Sequence, residues 1–244
     1  MKKILFIIDK IELKYFEFNN LVTNFWMIKE FLERGNQVFI TTISNLSLKQ
    51  DVAYTKCFET FTDKNNIFYK DIKIEKEIND FDLVMFRPDP PVDIDYINAT
   101  YIFDFVTKPR VINSPQAIRD FNEKLHSVYF KELMTDNIVT ASLEEIEAFL
   151  AKYKQIVLKP LNRCFGSGVM YLYEGDPNTR TIINTMTNNE TTLVMVQEFI
   201  PAVKQGDKRV LTLGNKVLKY CIKKLPTNDD FKFNTHNDNF ITSA

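Results

Sequence analysis

The residues best placed to do chemistry lie in Ile156-Val-Leu-Lys159-Pro-Leu-Asn-Arg-Cys-Phe-Gly166-Ser-Gly168-Val-Met-Tyr-Leu. A lysine ends an apolar strand-like run and is followed by a loop with two glycines that leads directly into a second strand-like run. Successive N–H groups of such a loop can form an anion-binding concavity, and the lysine adds a point charge, so the arrangement suits a polyphosphate. The plain alternative is a solvated lysine at a strand end. A second polar cluster follows in Val196-Gln-Glu-Phe-Ile-Pro201 and Gly206-Asp-Lys-Arg209. Gln197 to Ile200 could present backbone groups to a purine. Asp207 and Arg209, two apart on one strand, project to the same face, and an exposed ion pair along that strand is the plain alternative.

Other chemistries are poorly served. No GxGxxG follows a strand and no GxxxxGKS or GxxxxGKT occurs, which argues against dinucleotide binding of the Rossmann kind and against P-loop hydrolysis. The two histidines, His126 and His236, have no spacing that pairs them with each other or with cysteines around zinc. His126 suits a helical surface or packing role. Cys57, Cys164 and Cys221 are odd in number and widely spaced, as in reduced thiols rather than a disulfide framework. Cys164, beside the glycine loop, reads as a small hydrophobe.

The elements that must hold these residues alternate between strand and helix. Lys3 to Asp9 is an apolar run suited to a strand buried on both faces. Leu21, Phe25, Ile28 and Leu32 recur at helical spacing, with Gly35 at the left-handed cap and strand-like Gln37 to Thr42 behind it, which predicts a parallel βαβ unit. Phe81 to Phe86 is another buried strand, Asp93 caps a helix through Tyr96, Ala99, Thr100 and Phe103, and Arg110 to Asn113 returns to strand. Ser114-Pro115 opens a helix whose pattern runs on through Leu125 and Tyr129. The alternation then restarts, with Ser142 and Glu145 as a capping box, strands at Gln155 to Lys159, Val169 to Tyr173 and Leu193 to Phe199, and a hairpin around Gly214-Asn215.

Composition sets the outer limits. The 244 residues are 45% hydrophobic and 26% charged, with a net charge of -1, so the chain folds and carries no general nucleic-acid footprint. No apolar run approaches the roughly 20 residues of a membrane-spanning helix, and Met1-Lys2-Lys3 with its short apolar run lacks a signal-peptide cleavage site. A cytoplasmic protein is expected, with neither membrane nor nucleic acid as a partner. Glycine is only 6 of 244 residues, so glycine-rich phosphate cradles must be few.

Taken in order, Met85-Phe-Arg-Pro-Asp-Pro-Pro91, Ala99-Thr-Tyr-Ile102, Asn113 to Asp120 running into Asn122-Glu-Lys-Leu125, Leu158-Lys-Pro-Leu161 and Pro201 to Leu211 resemble the ATP-grasp superfamily, and within it the prokaryotic glutathione synthetase family. The resemblance implies an α/β protein: an N-terminal Rossmann-like, substrate-side domain over 1–121 and an incomplete ATP-grasp domain. The latter would divide into a small subdomain over 122–194 and the start of a C-terminal subdomain with lid region over 195–244.

It implies a ligase that joins γ-glutamylcysteine to glycine with ATP and Mg2+ through an acyl phosphate. Lys124 and Lys159 would contact the phosphates beside the Gly166-Ser167-Gly168 loop, Gln197, Glu198, Phe199 and Ile200 would hold the adenine, and Asp207 would lie at the ribose. Arg209 would bind ATP and face the transferred phosphoryl group as the catalytic cation, and Arg87 with Asp89 would help hold the dipeptide.

Two departures from the family pattern stand out: Arg163-Cys164-Phe165 replace small residues of the phosphate loop, and the expected metal ligands lie beyond Ala244. Asp229, Asp230, Asn234 and Asn237 are read as lid residues rather than replacement ligands. A fragment or shortened form with little ligase activity of its own is expected, and an open sheet edge there would favour pairing of copies into a homo-oligomer. Another ATP-grasp carboxylate-amine ligase, and a non-catalytic nucleotide-binding or subunit-interaction protein on a degenerate ATP-grasp fold, stay open as alternatives.

Overall fold

The computed structural model describes residues 1–14, 16, 22–64, 66–164, 166–225 and 239–243. Leu21, Phe165, Asp229, Asp230, Asn234, His236 and Asn237 lie outside them. The chain divides into two compact units, Met1–Asn122 and Glu123–Ala244.

The first unit runs β1 (Lys3–Ile7), α1 (Lys10–Lys14), α2 (Thr23–Glu33), β2 (Gln37–Thr41), β3 (Leu46–Lys49), β4 (Val52–Asp63), β5 (Asn66–Tyr69), β6 (Ile74–Glu77), β7 (Leu83–Phe86), α3 (Ile94–Ile102), β8 (Arg110–Ile112) and α4 (Pro115–Asp120). β1 pairs in parallel with β2 and β7, and β7 in parallel with β8. The central strand is buried on both faces, so its side chains divide by parity. Leu5 and Ile7 join the core that α3 supplies with Tyr96 and Ala99, while Ile4 and Phe6 join the one that α2 supplies with Phe25 and Ile28. Helices therefore cover opposite faces, as a parallel sheet requires.

The caps follow from side-chain chemistry. Asp93 accepts the Tyr96 N–H at 2.9 Å, Ser114 accepts the Ala117 N–H at 3.3 Å, and Gly35 takes φ +75° behind α2. Residues 43–80, where the sequence shows only short β-prone pieces, form an antiparallel extension in which β4 pairs with β2, β3, β5 and β6. One expectation fails: the helix opened by Ser114 ends at Asp120, Phe121 is extended, and 125–133 is a 3-10 segment broken at Phe130. Leu125, Tyr129 and Leu133 are exposed there, so no apolar burial supports a longer helix.

The second unit runs β9 (Asn137–Thr140), α5 (Leu143–Tyr153), β10 (Gln155–Pro160), β11 (Met170–Tyr173), α6 (Thr179–Met186), β12 (Val194–Glu198), β13 (Asp207–Leu213), β14 (Lys216–Lys224) and β15 (Asn239–Ser243). An antiparallel sheet, ordered β11-β10-β12-β9, is followed by a separate sheet, β13-β14-β15. β12 belongs to the first of these sheets, and the second begins at Asp207. α5 and α6 cover one face of the four-stranded sheet with Ile146, Phe149 and Ile183 against Ile156, Leu158 and Val196. The capping box at α5 closes by only half: Ser142 accepts the Glu145 N–H at 3.3 Å, but the Glu145 carboxylate accepts from the Thr140 hydroxyl instead of the Ser142 N–H.

Candidate functional site

Parity on β10 and β12 selects the side chains that face away from the helices. Ile156 and Leu158 enter the core, so Val157 and Lys159 point to the other face, and on β12 the same rule turns Gln197 outward from Val196. Val157, Lys159 and Gln197 line a cavity of about 320 Å³, closed by Thr135, Val169, Glu198, Phe199, Ile200, Val203, Gly166 and Asp207. The Phe199 ring packs edge-on against Tyr171 with centroids 4.8 Å apart, which fixes one wall. Two amides of this wall are committed to the fold, Glu198 N–H to the Asp136 carbonyl at 3.0 Å and Phe199 N–H to the Gln155 carbonyl at 3.1 Å.

A second cavity, of about 310 Å³, adjoins the first through the shared residues Gly166 and Val169. Its walls are cationic: Lys124, Arg163, Arg209 and Lys224, with Glu123, Pro160, Cys164 and Ser167. Lys124 donates to the Glu123 carboxylate at 2.8 Å and to the Arg163 carbonyl, which ties it to the glycine loop. In that loop Gly166 and Gly168 both take φ +71°. A Cβ on Gly168 would meet Pro160 Cγ at 3.0 Å, so the loop is folded closely against the end of β10.

Lys159 falls in the apolar cavity rather than with the other cations. Its ammonium donates to Gln197 Oε1 at 2.5 Å, through one of the three N–H bonds it carries. Burial, and after it the charge of Lys124, lowers its pKa below the ordinary lysine value. Asp207 and Arg209 share a strand but line the apolar and the cationic cavity respectively. Ser167 lines the cationic cavity, and Gly168 packs behind it. Arg163 and Lys224 are cations of this site that the sequence does not single out: Arg163 stands out there only as a departure from small residues, and Lys224 reaches the cavity through hairpin register. Among the described residues no group of three or more His, Cys, Asp or Glu side chains comes together as a metal site.

Arg87 and Asp89 lie in the first unit, just past the carboxyl end of β7 and beside that of β1, the edge at which open parallel sheets bind ligands. Asp89 N–H donates to Asp9 Oδ2 at 2.9 Å, and Arg87 Nε donates to Asn24 Oδ1 at 3.0 Å. Asn24 Nδ2 in turn donates to both Glu12 carboxylate oxygens, at 3.2 and 2.9 Å. Tyr96 Oη donates to the Pro88 carbonyl at 3.1 Å, and burial pushes its phenol up to about 12. Sequence reasoning misses Asp9, Glu12 and Asn24 because their separation from Arg87 along the chain hides the cluster.

Burial raises the pKa of both Asp9 and Glu12. A carboxyl group whose pKa is raised by folding stabilises the fold in its protonated form. That stability is fully present below the unfolded value, 3.8 for Asp9, and is lost as pH rises through the folded value. Asp9→Asn keeps an acceptor for the Asp89 N–H and removes the charge. It is expected to raise the urea midpoint near neutral pH, with the gain shrinking as pH falls towards the carboxylate range. An equal gain at both ends of a pH series of urea titrations would contradict this.

Two family models match the chain in succession. The family described as "Prokaryotic glutathione synthetase, N-terminal domain" matches residues 2–119, and "Prokaryotic glutathione synthetase, ATP-grasp domain" matches residues 123–241. A glutathione synthetase of Vibrio parahaemolyticus is 35% identical over 218 residues, covering 87% of this chain and 68% of the relative. The glutathione synthetase of Vibrio vulnificus strain YJ016 is 35% identical over 216 residues with the same coverage. Among solved structures, the D-cycloserine synthetase DcsG superposes with a TM-score of 0.66 at 14% identity, covering 99% of this chain and 75% of that one, which is a likeness of fold. No helix among the described residues is long and apolar enough to cross a membrane.

Proposed function

The chain belongs to the prokaryotic glutathione synthetase family of ATP-grasp ligases, and we propose that its second unit binds ATP across the two adjoining cavities while Arg87 and Asp89 hold γ-glutamylcysteine, glycine being the acceptor. The observation that carries this reading is the division of labour around Gly166 and Val169: an apolar cavity on one side of the glycine loop and a cationic one on the other. A nucleotide has that same division, a flat apolar base and a polyanionic tail.

In this reading Val157, Phe199, Ile200 and Val203 enclose the adenine, Asp207 accepts from the ribose, Lys124 and the glycine loop hold the phosphates in the cationic cavity, and Lys159 reaches the phosphate nearest the base from the apolar one. Arg209 faces the phosphoryl group on its way to the dipeptide carboxylate. A carboxylate is a poor electrophile until it carries a leaving group, and its phosphorylation brings two anions together, so the cations supply the main stabilisation. Attack by the glycine amine then expels phosphate and forms the amide. Magnesium, bound with the nucleotide phosphates, would add charge neutralisation.

Calorimetric titration with ADP or a non-hydrolysable ATP analogue, each with magnesium, tests the nucleotide half: saturable binding of both is expected, with the triphosphate analogue the one weakened by removing the Arg209 guanidinium, and the absence of binding by the folded chain overturns it. The dipeptide half makes its own prediction. Arg87 can grip a carboxylate with two parallel N–H bonds, and lysine cannot. Arg87→Lys is expected to weaken γ-glutamylcysteine binding about tenfold and to leave ADP binding as it was. Equal losses for both ligands would mark Arg87 as structural.

A further inference from the structure

Asn24 is the second residue of α2 and is 4% exposed, and its amide is bonded at both ends. Its Nδ2 donates to the two Glu12 oxygens at 3.2 and 2.9 Å, and its Oδ1 accepts from Arg87 Nε at 3.0 Å. The orientation of the amide is dictated by its neighbours. A carboxylate can only accept and a guanidinium can only donate, so rotating the amide by half a turn would face acceptor to acceptor and donor to donor. Glu12 thus fixes the amide, and the amide fixes Nε.

We propose that Asn24 is a positioning residue for substrate recognition by Arg87, with Glu12 as its anchor; this rests on the reading that Arg87 holds the dipeptide. A guanidinium is rigid and planar. A bond at Nε, together with the covalent link through Cδ, sets the rotation of the whole plane and presents the two terminal nitrogens as a fork of fixed direction. Without Asn24 the long Arg87 side chain would still carry its charge, but its plane would have to be ordered on each binding event, which weakens binding. The three residues come from α1, α2 and the segment after β7, and they meet at the ligand edge of the parallel sheet. Among the described residues the side-chain hydrogen bond of Arg87 is the one at Nε, which leaves its terminal nitrogens to a ligand; a purely structural link would not need that arrangement.

Titration of the full chain with γ-glutamylcysteine and, separately, with ADP decides the matter. Asn24→Ala is expected to weaken dipeptide binding about tenfold with ADP affinity unchanged. Glu12→Gln, whose side-chain oxygen still accepts from Asn24, is expected to stay within about twofold of the unaltered chain, whereas Glu12→Ala loses as much as Asn24→Ala. In an Arg87→Lys background Asn24→Ala should cost less than about twofold more, because the fork it orients is gone. Unchanged dipeptide affinity in folded Asn24→Ala, or losses that simply add to those of Arg87→Lys, overturns the positioning role. If Asn24→Ala does not fold, the contrast between Glu12→Ala and Glu12→Gln decides instead: equal dipeptide affinities in those two variants overturn the role as well. Failure of the underlying reading looks different: the unaltered chain does not bind the dipeptide, or Arg87→Lys leaves its affinity intact.

Discussion

Lys159→Ala is expected to weaken ADP binding by ten- to a hundredfold while the chain stays folded. Charge-assisted hydrogen bonds contribute about 1.5–3 kcal/mol, and in a half-buried site little water is available to replace the lost ammonium. Among the described residues the side chain makes one hydrogen bond, to Gln197 Oε1, so its removal leaves β10 and its core side chains Ile156 and Leu158 in place. The same group has a pH signature. Burial and the nearby Lys124 charge lower its pKa, so without nucleotide it loses its proton at lower pH than an ordinary lysine. A bound polyanion reverses that pull. ADP binding should therefore take up protons in alkaline solution, and affinity should fall as pH rises through the lowered pKa. Calorimetry in two buffers of different ionisation enthalpy reads the uptake directly. If Lys159→Ala kept both the affinity and the proton uptake of the unaltered chain, the lysine would be a packing residue only.

The legible parts of this molecule are those written in local patterns. The run from Lys3 to Asp9 and the caps at Asp93, Ser114 and Ser142 can all be read along a single segment, because each depends on neighbours within one helical turn or one strand. What stays hidden depends on pairing between distant segments. Residues 43–80 look weak one piece at a time, yet β4 gathers four partner strands, and Thr60 even donates its hydroxyl to the Val38 carbonyl at 2.8 Å. Lys224 enters the cationic cavity only through the register of a hairpin, and the contact from Glu12 through Asn24 to Arg87 spans three elements. The stretch from Phe121 to Leu133 misleads for the converse reason: its helical spacing is present, but Leu125, Tyr129 and Leu133 stay exposed, so the pattern buries little apolar surface.

Gly206→Ala is expected to cost ~3 kcal/mol or more in the second unit and to abolish measurable ADP binding. Two penalties coincide at this position. Its φ of +96° is a conformation that a side chain resists, and a Cβ built there would lie 2.4 Å from the Lys224 carbonyl oxygen and 3.0 Å from Leu225 Cδ2. The first of these is backbone, so no rotamer change relieves it, and strands β13 and β14 must separate where Asp207 faces Lys224 across the ladder. Those two residues line the apolar and the cationic cavity, so one displacement disturbs both ends of the proposed nucleotide site. Gly214 provides the control: it also has positive φ, +58°, but nothing lies within 4 Å of its would-be Cβ. Gly214→Ala carries the conformational penalty alone, about 1 kcal/mol. Urea unfolding, with amide exchange across β13 and β14, separates the two variants. Matching losses at Gly206 and Gly214 would mean that the hairpin yields freely at its base, and the close approach of Gly206 to Lys224 would then have no part in shaping the site.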